Sequence, residues 1–163
     1  MKFSTMSISA DEFRAALSRF PSGVTVVTTK DKAGRLHGIT VSAFCSVSLE
    51  PPMILVCIDK TTGSHPAFEF GSAFVVNVLN ENQSHYSDHF ASRTADKFGD
   101  INYREGLNGV PILEDAMVNL QCRLVYNHEG GDHTIFVGEI LEAIAKDGKP
   151  LLYFQGNYRK LKD

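Results

Sequence analysis

Alternation of apolar and polar residues in the C-terminal third constrains the fold of this chain more than any other feature. Over residues 116–126, apolar side chains at positions 118, 120, 122 and 124 alternate with polar side chains at 119, 121 and 123. Successive side chains of a β-strand point to opposite faces, so this pattern has the period of a strand. It predicts a strand with one apolar face and one face in contact with water.

Other runs rich in β-branched or apolar residues predict further strands. They cover residues 24–29, 36–41, 53–58, 73–79, 133–144 and 151–158, with polar turns at 30–34, 127–132 and 146–149. Residues 24–41 have the arrangement of a hairpin. Six or seven strands without an alternating β–α rhythm favour an antiparallel barrel.

Helical signals are few and short. Ser9 and Glu12 have the spacing of a capping box, and apolar residues then recur at helical spacing up to Phe20, before Pro21. Short helices are also predicted over residues 64–70 and 82–92, whereas residues 93–110 have the composition of a loop. The fold class is therefore mainly β with a few short helices.

Length, charge and cysteine content exclude several classes of protein. A chain of 163 residues suits a single domain, here residues 1–163. The net charge of −3 gives no basic face for nucleic acid, and neither a secretory signal nor a membrane-spanning run is recognisable. The sequence has an odd number of cysteines, Cys45, Cys57 and Cys122, and none of them forms a C-x-x-C pair. This favours buried thiols in the reducing cytoplasm over a set of disulfides.

Standard catalytic and nucleotide-binding motifs do not occur, and the remaining local candidates each have two readings. His85 and His89 are spaced to share a metal on one helix face, or they belong to an exposed polar helix. His133 with Asp132 precedes a strand and either contacts a ligand or caps a turn. Lys97 lies in a polar segment, where it either binds phosphate or is solvated.

The segment 38–58 is the most informative of these candidates. Small or hydroxylated side chains at positions 40, 42, 43, 46 and 48 separate two apolar runs. Small residues let a backbone approach a flat ligand, and free amides and hydroxyls could bind ring carbonyls or a phosphate. The alternative is a bulged strand with a polar outer face.

At these residues the chain resembles the flavin reductase domain family, the short reductase components of two-component flavin monooxygenases. The matching pieces follow one another in the family order: FRAALSRFPSGVTVVTT (13–29), GITVSAFCSVSLEPPMILVCID (38–59), FEFGSAFVVNVL (68–79), ASRTADKF (91–98), GDHTIFVGEI (131–140) and PLLYFQGNY (150–158). The resemblance implies a split β-barrel of Greek-key, FMN-binding type. It also implies a homodimer with flavin near the subunit interface.

The resemblance further implies which residues bind the cofactors. The isoalloxazine ring is expected to be lined by Thr40, Val41, Ser42, Ala43, Ser46, Val47 and Ser48, with Pro21, Ser22 and Gly23 along its other side. The ribityl or phosphate part is expected at Asp59, Lys60 and Ser64, and phosphate or adenine at Lys97 and Phe98. The nicotinamide is expected at Asp132 and His133, with His133 positioning it for reaction and Tyr158 closing over that site.

The implied activity is that of an NAD(P)H:flavin oxidoreductase. It would reduce FMN or FAD with NADH or NADPH and supply reduced flavin to a partner oxygenase, with no metal involved. Hydride transfer is performed by the cofactors, so the absence of a catalytic dyad agrees with such an enzyme. Cys45 is interpreted as a small packing residue. The alternatives are a flavin-binding electron-transfer module without turnover and a metal-binding protein that uses His85 and His89.

Overall fold

The helices of the chain are short. The computed structural model describes residues 8–162; the expectation about a secretory signal rests partly on residues 1–7, which lie outside that range. The α-helices are α1 (Ala10–Leu17), α2 (His65–Glu69) and α3 (Ser84–Ala91), and Leu107–Gly109 forms a 3-10 turn. Within the described residues, no helix is both long and apolar enough to cross a membrane.

Twelve strands account for most of the regular structure in residues 8–162. In chain order they are β1 Ser22–Gly23, β2 Thr25–Lys30, β3 Leu36–Val41, β4 Phe44–Leu49, β5 Pro52–Asp59, β6 Ala73–Val78, β7 Tyr103–Glu105, β8 Pro111–Leu113, β9 Val118–Gly130, β10 His133–Ala145, β11 Leu152–Phe154 and β12 Asn157–Arg159. The prediction of a mainly β chain with a few short helices is confirmed.

The strands form one large antiparallel sheet and two small sheets. The large sheet has the order β3-β2-β6-β9-β10-β5-β4, so β3 and β4 are its edges. The small sheets are β1-β11-β12 and β7-β8. The first apolar cluster packs on one face of the large sheet around Val56, Phe74 and Phe136, and the second lies around Val26 and Phe90.

Helix α1 begins at the predicted capping box. Ser9 Oγ accepts a hydrogen bond from the Glu12 amide at 3.2 Å, and the Glu12 carboxylate accepts one from the Ser9 amide at 2.8 Å. The helix ends at Leu17, and none of its residues is buried. Its apolar side chains Phe13 and Leu17 are each 53% exposed, so the helix does not pack into the core of this chain.

The prediction that one face of β9 contacts water holds at Arg123, whose side chain is 60% exposed, and is wrong at Asn119 and Gln121. Asn119 and Gln121 are only 3% and 4% exposed, because the segment containing β7 and β8 covers that face. Asn77 on β6 accepts hydrogen bonds at its Oδ1 from the Leu113 amide (3.0 Å) and from Asn119 Nδ2 (2.9 Å). At Asn119 and Gln121 the polar face is therefore buried, and its side chains form hydrogen bonds within the protein.

Three other boundaries differ from the prediction. The turn predicted over 127–132 is much shorter, because β9 continues to Gly130 and pairs with His133 at the start of β10. The segment 93–110, predicted as a loop, contains β7 and the 3-10 turn. The final strand predicted over 151–158 is divided into β11 and β12. Backbone pairing overrides the local turn composition at the end of β9 and at β7, whereas a turn at Gln155 and Gly156, both with positive φ, interrupts the predicted final strand.

Candidate functional site

A groove of about 780 Å³ lies between β3, the loop after β5 and the C-terminal end of α3. Its walls come from residues 35–39, from residues 59 and 61–64, and from residues 90–95 with Lys97. Its volume is in the range typical of sites for small molecules and cofactors. Three of the predicted cofactor-binding residues, Asp59, Ser64 and Lys97, line it together.

Lys97 places an ammonium group at the wall of the groove. Its Nζ donates hydrogen bonds to the carbonyl oxygens of Gly38 at 3.0 Å and Phe90 at 2.7 Å. Burial lowers the pKa of the Lys97 ammonium, since removal from water disfavours the charged form. Gly38 permits this arrangement, because a Cβ there would lie 2.6 Å from the Phe90 ring. The groove thus contains a fixed cation held by neutral carbonyls.

The loop after β5 adds hydroxyl groups to the opposite wall. The Asp59 carboxylate accepts hydrogen bonds from the Thr61 amide (2.7 Å) and hydroxyl (2.8 Å), and these bonds lower the pKa of Asp59. Thr62 Oγ1 donates to the Asp59 carbonyl at 2.8 Å. Ser64 is buried, with its hydroxyl 3.4 Å from the Gly38 carbonyl. This polar wall suits a ligand that carries anionic or hydroxyl groups.

A second positive group lines the outer end of the groove. Arg35 Nε donates to the Asp31 carboxylate at 2.7 Å, and His37 Nε2 lies 3.1 Å from the same group. Although burial opposes it, hydrogen bonds from the Arg35 amide, His37 and the Arg35 side chain hold the pKa of Asp31 well below its usual range. The Arg35 charge is therefore already paired, unlike that of Lys97.

The start of β10 lies beside the groove loop. His133 is paired with Asp59 across β10 and β5, and its Nδ1 donates to the Asp132 carboxylate at 2.7 Å. The Lys60 amide donates to the Asp132 carbonyl at 3.0 Å, and Lys60 Nζ donates to Gly131 and forms an ion pair with Glu129. Residues about 70 positions apart in the sequence are thus brought together.

The segment 40–48 forms parts of both edge strands. Thr40 and Val41 end β3, Ser42 and Ala43 are exposed in the connection, and Ser46, Val47 and Ser48 belong to β4. The register of β4 against β5 shifts between Ser46 and Ser48, so the strand is bulged, but its exposed side chains include the apolar Val47 and Leu49. Flavin contact along this segment stays a prediction.

The three thiols differ from the expectation that all are buried. Cys45 is exposed on β4, so that part of the expectation is wrong; an edge strand leaves its outward side chains in solvent. Cys57 is half-buried and Cys122 is buried. Burial raises the pKa of the Cys122 thiol to about 12.

The remaining predicted residues lie around α3 and β11. Ser22 and Gly23 pair with β11, directly after Pro21. The Tyr158 hydroxyl donates to the Asp88 carboxylate at 2.6 Å and lies 2.8 Å from Ser87 Oγ. Thr40 Oγ1 donates to the Ser87 carbonyl at 2.6 Å. Helix α3 thus connects Tyr158 with the end of β3.

Phe98 supports the groove from behind. It is only 8% exposed and packs in the second apolar cluster with Phe90 and Tyr103. Its observed contacts are with other side chains of the core, and its predicted contact with phosphate or adenine stays a prediction.

The histidine pair of α3 does not form a cluster of metal ligands. His89 Nε2 donates to the Lys97 carbonyl at 2.8 Å, and the His85 ring packs beside Tyr86. Residues 8–162 contain no group of three or more His, Cys, Asp or Glu side chains placed to hold a metal ion. His89 instead helps to hold the backbone that presents Lys97.

Sequence reasoning missed several groove residues, among them Arg35, His37 and Gly38, and within the predicted segment 59–64 it did not name Thr61 and Thr62 individually. The hydroxyl run at 61–62 was a usable signal, because it follows a buried strand and precedes a helix. His37 and Gly38 lie on β3 and Arg35 directly precedes it, and a strand pattern does not indicate which side chains face a groove formed by distant segments.

Comparison with known proteins gives a consistent result. The family model described as "Flavin reductase like domain" matches residues 17–162. The reductase component of a 4-nitrophenol 4-monooxygenase/4-nitrocatechol 2-monooxygenase from Rhodococcus opacus is 42% identical over 90% of this chain and 78% of its own length. The FMN reductase (NADH) SmoA from Agrobacterium fabrum is 40% identical over 90% of this chain and 83% of its own.

A solved structure has nearly the same extent and shape. The NADH:FAD oxidoreductase SgcE6 from Streptomyces globisporus, in complex with NAD and FAD fragments, is 32% identical with a TM-score of 0.89. The match covers 97% of this chain and 98% of that chain. The two proteins therefore share their fold over almost the entire length.

Proposed function

The chain belongs to the flavin reductase like domain family, and on that premise we propose that it is an NAD(P)H:flavin oxidoreductase of the EC 1.5.1 type. It reduces FMN or FAD by hydride transfer from NADH or NADPH. The reduced flavin is then supplied to a separate oxygenase component; the name of the Rhodococcus opacus relative, the reductase component of a monooxygenase, supports this part of the proposal.

One observation carries this proposal. The segment from Asp59 to Ser64 lines the groove on one side, and through Asp59 and Lys60 it contacts the start of β10 on the other. A ligand whose phosphate lies near Lys97 is thereby placed close to the segment that carries His133. Binding two cofactors side by side is the main task of an enzyme of this type.

The donor set of the groove fits a phosphorylated cofactor. The Lys97 ammonium and the hydroxyls of Thr61 and Ser64 are the kinds of groups that bind phosphate oxygens. When bound, the flavin and the nicotinamide supply the hydride chemistry themselves. In this proposal the protein holds the phosphate at Lys97, lines the ring with the backbone of residues 40–48, and orients the nicotinamide with His133.

Finer features of the fold and assembly are also part of the proposal. The chain is one domain with a split β-barrel of Greek-key type, and it acts as a homodimer in the cytoplasm. Exposed apolar side chains support a subunit interface: Phe13 and Leu17 on α1, and Val47 and Leu49 on β4. Light scattering of the purified protein should give a mass near twice the 18.0 kDa of one chain.

Steady-state kinetics test the proposed activity. Oxidation of NADH and NADPH is measured with FMN, FAD, riboflavin and no flavin, and we expect turnover that requires added flavin. Bound flavin without such turnover would instead support the electron-transfer module. Absence of flavin binding would contradict both.

A histidine variant tests the assigned role of His133. His133→Ala should raise the nicotinamide KM far more than the flavin KM, because His133 is proposed to contact the nicotinamide alone. His128→Ala is the matched control, since it removes an exposed imidazole from the neighbouring strand β9. An equal rise of both KM values in His133→Ala would contradict the assignment.

A further inference from the structure

His65 is a buried histidine that the cofactor assignments leave unused. It is the first residue of α2 and is 7% exposed. It directly follows Ser64, the last residue of the loop that lines the groove. Buried polar side chains are costly unless they are satisfied, so the contacts of His65 indicate what it does.

Those contacts connect the groove loop with β10. His65 Nε2 shares a hydrogen bond of 2.8 Å with Thr134 Oγ1, and Thr134 is itself only 6% exposed. The imidazole packs against Phe136 with 5.7 Å between ring centroids, and its Nδ1 lies 3.9 Å from the Glu69 carboxylate. The His65 amide donates to the Thr62 carbonyl at 3.1 Å. One residue thus contacts the loop, α2 and β10.

We propose that His65 is a positioning residue for the reaction, a role that rests on the proposed function. Through Thr134 it fixes the start of β10 relative to the groove loop, and so it sets where His133 stands beside a cofactor held in the groove.

Strand geometry explains how His65 acts on His133 without touching it. Neighbouring residues of a strand point to opposite faces, so the Thr134 side chain is directed to the core while His133 is directed away from it. A bond to Thr134 therefore fixes the backbone at this position and leaves the His133 imidazole available to a ligand. His133 remains half-buried, with a side-chain exposure of 40%.

Strand pairing with β5 and β9 holds the backbone of β10 on both sides, and the side-chain contacts of this region differ in their burial. The ion pair between Lys60 and Glu129 lies in solvent, where the Glu129 side chain is 84% exposed, and surface ion pairs contribute little. His133 and Asp59 form the last pair of the β5–β10 ladder. The hydrogen bond between His65 and Thr134 is the buried one, and water competes least with it.

Four single variants test the proposal as two matched pairs. Thr134→Val removes the hydroxyl and keeps the shape, whereas Thr134→Ser keeps the hydroxyl. His65→Ala removes the imidazole, whereas His65→Gln places an amide nitrogen near the position of Nε2. We expect Thr134→Val and His65→Ala to raise the nicotinamide KM by about five- to tenfold, the loss that one hydrogen bond accounts for. The conservative partners should stay near the wild type.

The double variant His65→Ala/Thr134→Val separates a shared role from two independent ones. If both residues act through one hydrogen bond, the nicotinamide KM of the double variant should rise by no more than about the larger of the two single-variant rises. If the two single-variant rises in nicotinamide KM multiply in the double variant, the proposal is overturned. It is also overturned if Thr134→Ser and Thr134→Val change the nicotinamide KM equally. If kcat/KM falls equally for flavin and for the nicotinamide in all four variants, His65 has a merely structural role, and this result would also overturn the proposal.

A second readout does not require turnover. The ¹³Cε1 and ¹Hε1 NMR signals of His133 are compared in the wild-type protein, Thr134→Val and Thr134→Ser without cofactors. We expect them to shift in Thr134→Val alone, and unchanged signals would overturn the proposal even if the wild type does not oxidise NADH. A wild type without flavin-dependent oxidation would overturn the proposed function, so the two failures are distinguishable.

Discussion

Replacement of Lys97 by methionine provides the sharpest test of the groove. Methionine keeps an unbranched apolar chain and removes the ammonium that donates to the Gly38 and Phe90 carbonyls. Both acceptors are neutral, so the Lys97 charge stays available to a phosphate in the groove. The variant should therefore weaken the binding of flavins that carry a phosphate and change the binding of other flavins little.

The contacts of Lys97 set the expected magnitude. A hydrogen bond to a charged group contributes about 1.5–3 kcal/mol net, which corresponds to a loss of affinity of roughly 10- to 150-fold. The affinity of the variant for FMN should fall by this factor. Riboflavin carries the same ring and no phosphate, so its affinity should change by less than about threefold, the size of an ordinary surface effect.

Quenching of flavin fluorescence gives both dissociation constants in one assay. Lys32→Met is the matched control, because it removes the same charge from the β2–β3 turn, where Lys32 lies 5.8 Å from the Phe70 ring. Since burial lowers the pKa of Lys97, FMN affinity of the wild type should fall as pH rises through that lowered pKa, as the ammonium loses its proton. Lys97→Met should lack this alkaline decline. Equal losses for FMN and riboflavin would refute the reasoning.

Three further predictions concern the sheet, the groove wall and the thiols. Asn77→Ala should lower the free energy of unfolding in urea by about 2–6 kcal/mol, since it leaves two buried donors unpaired at about 1–3 kcal/mol each; a loss below that range would show that they find other partners. Gly38→Ala should weaken FMN binding, because its Cβ would lie 2.6 Å from the Phe90 ring, and Phe90→Leu should restore affinity; failure of that rescue would exclude the clash as the cause. In alkylation followed by mass spectrometry, exposed Cys45 should react in the native protein, and Cys122, whose pKa burial raises to about 12, only after unfolding. Early labelling of Cys122 would contradict the described packing.

Local signals predicted the local elements of this fold well. The capping box of Ser9 and Glu12 and the strand Leu36–Val41 were read directly from residue type and spacing. In these elements the hydrogen bonds are formed within the helix or within a short hairpin. The residues that form these hydrogen bonds are therefore the same neighbouring residues whose type and spacing gave the prediction.

Features that depend on distant segments were not predictable in the same way. The polar residues Asn119 and Gln121 have the same periodicity whether water or another segment covers them. The same limit applies to the groove, where Gly38, Ser64 and Lys97 meet only after three segments have packed together. The resemblance to a family predicted cofactor contacts for Ser64 and Lys97, and both residues line the groove, whereas spacing alone left Lys97 open between a ligand contact and a solvated side chain.

The buried carboxamides of Asn77 and Asn119 also select the alignment of the central strands. They stand directly opposite each other in the β6–β9 ladder. If β9 slipped by one residue against β6, Asn119 would turn toward the apolar side while Asn77 kept its place beside Leu113. Such a misaligned pairing would bury the Asn119 carboxamide without its partners and would remove one hydrogen bond from Asn77, so polarity helps to set the correct alignment of these strands.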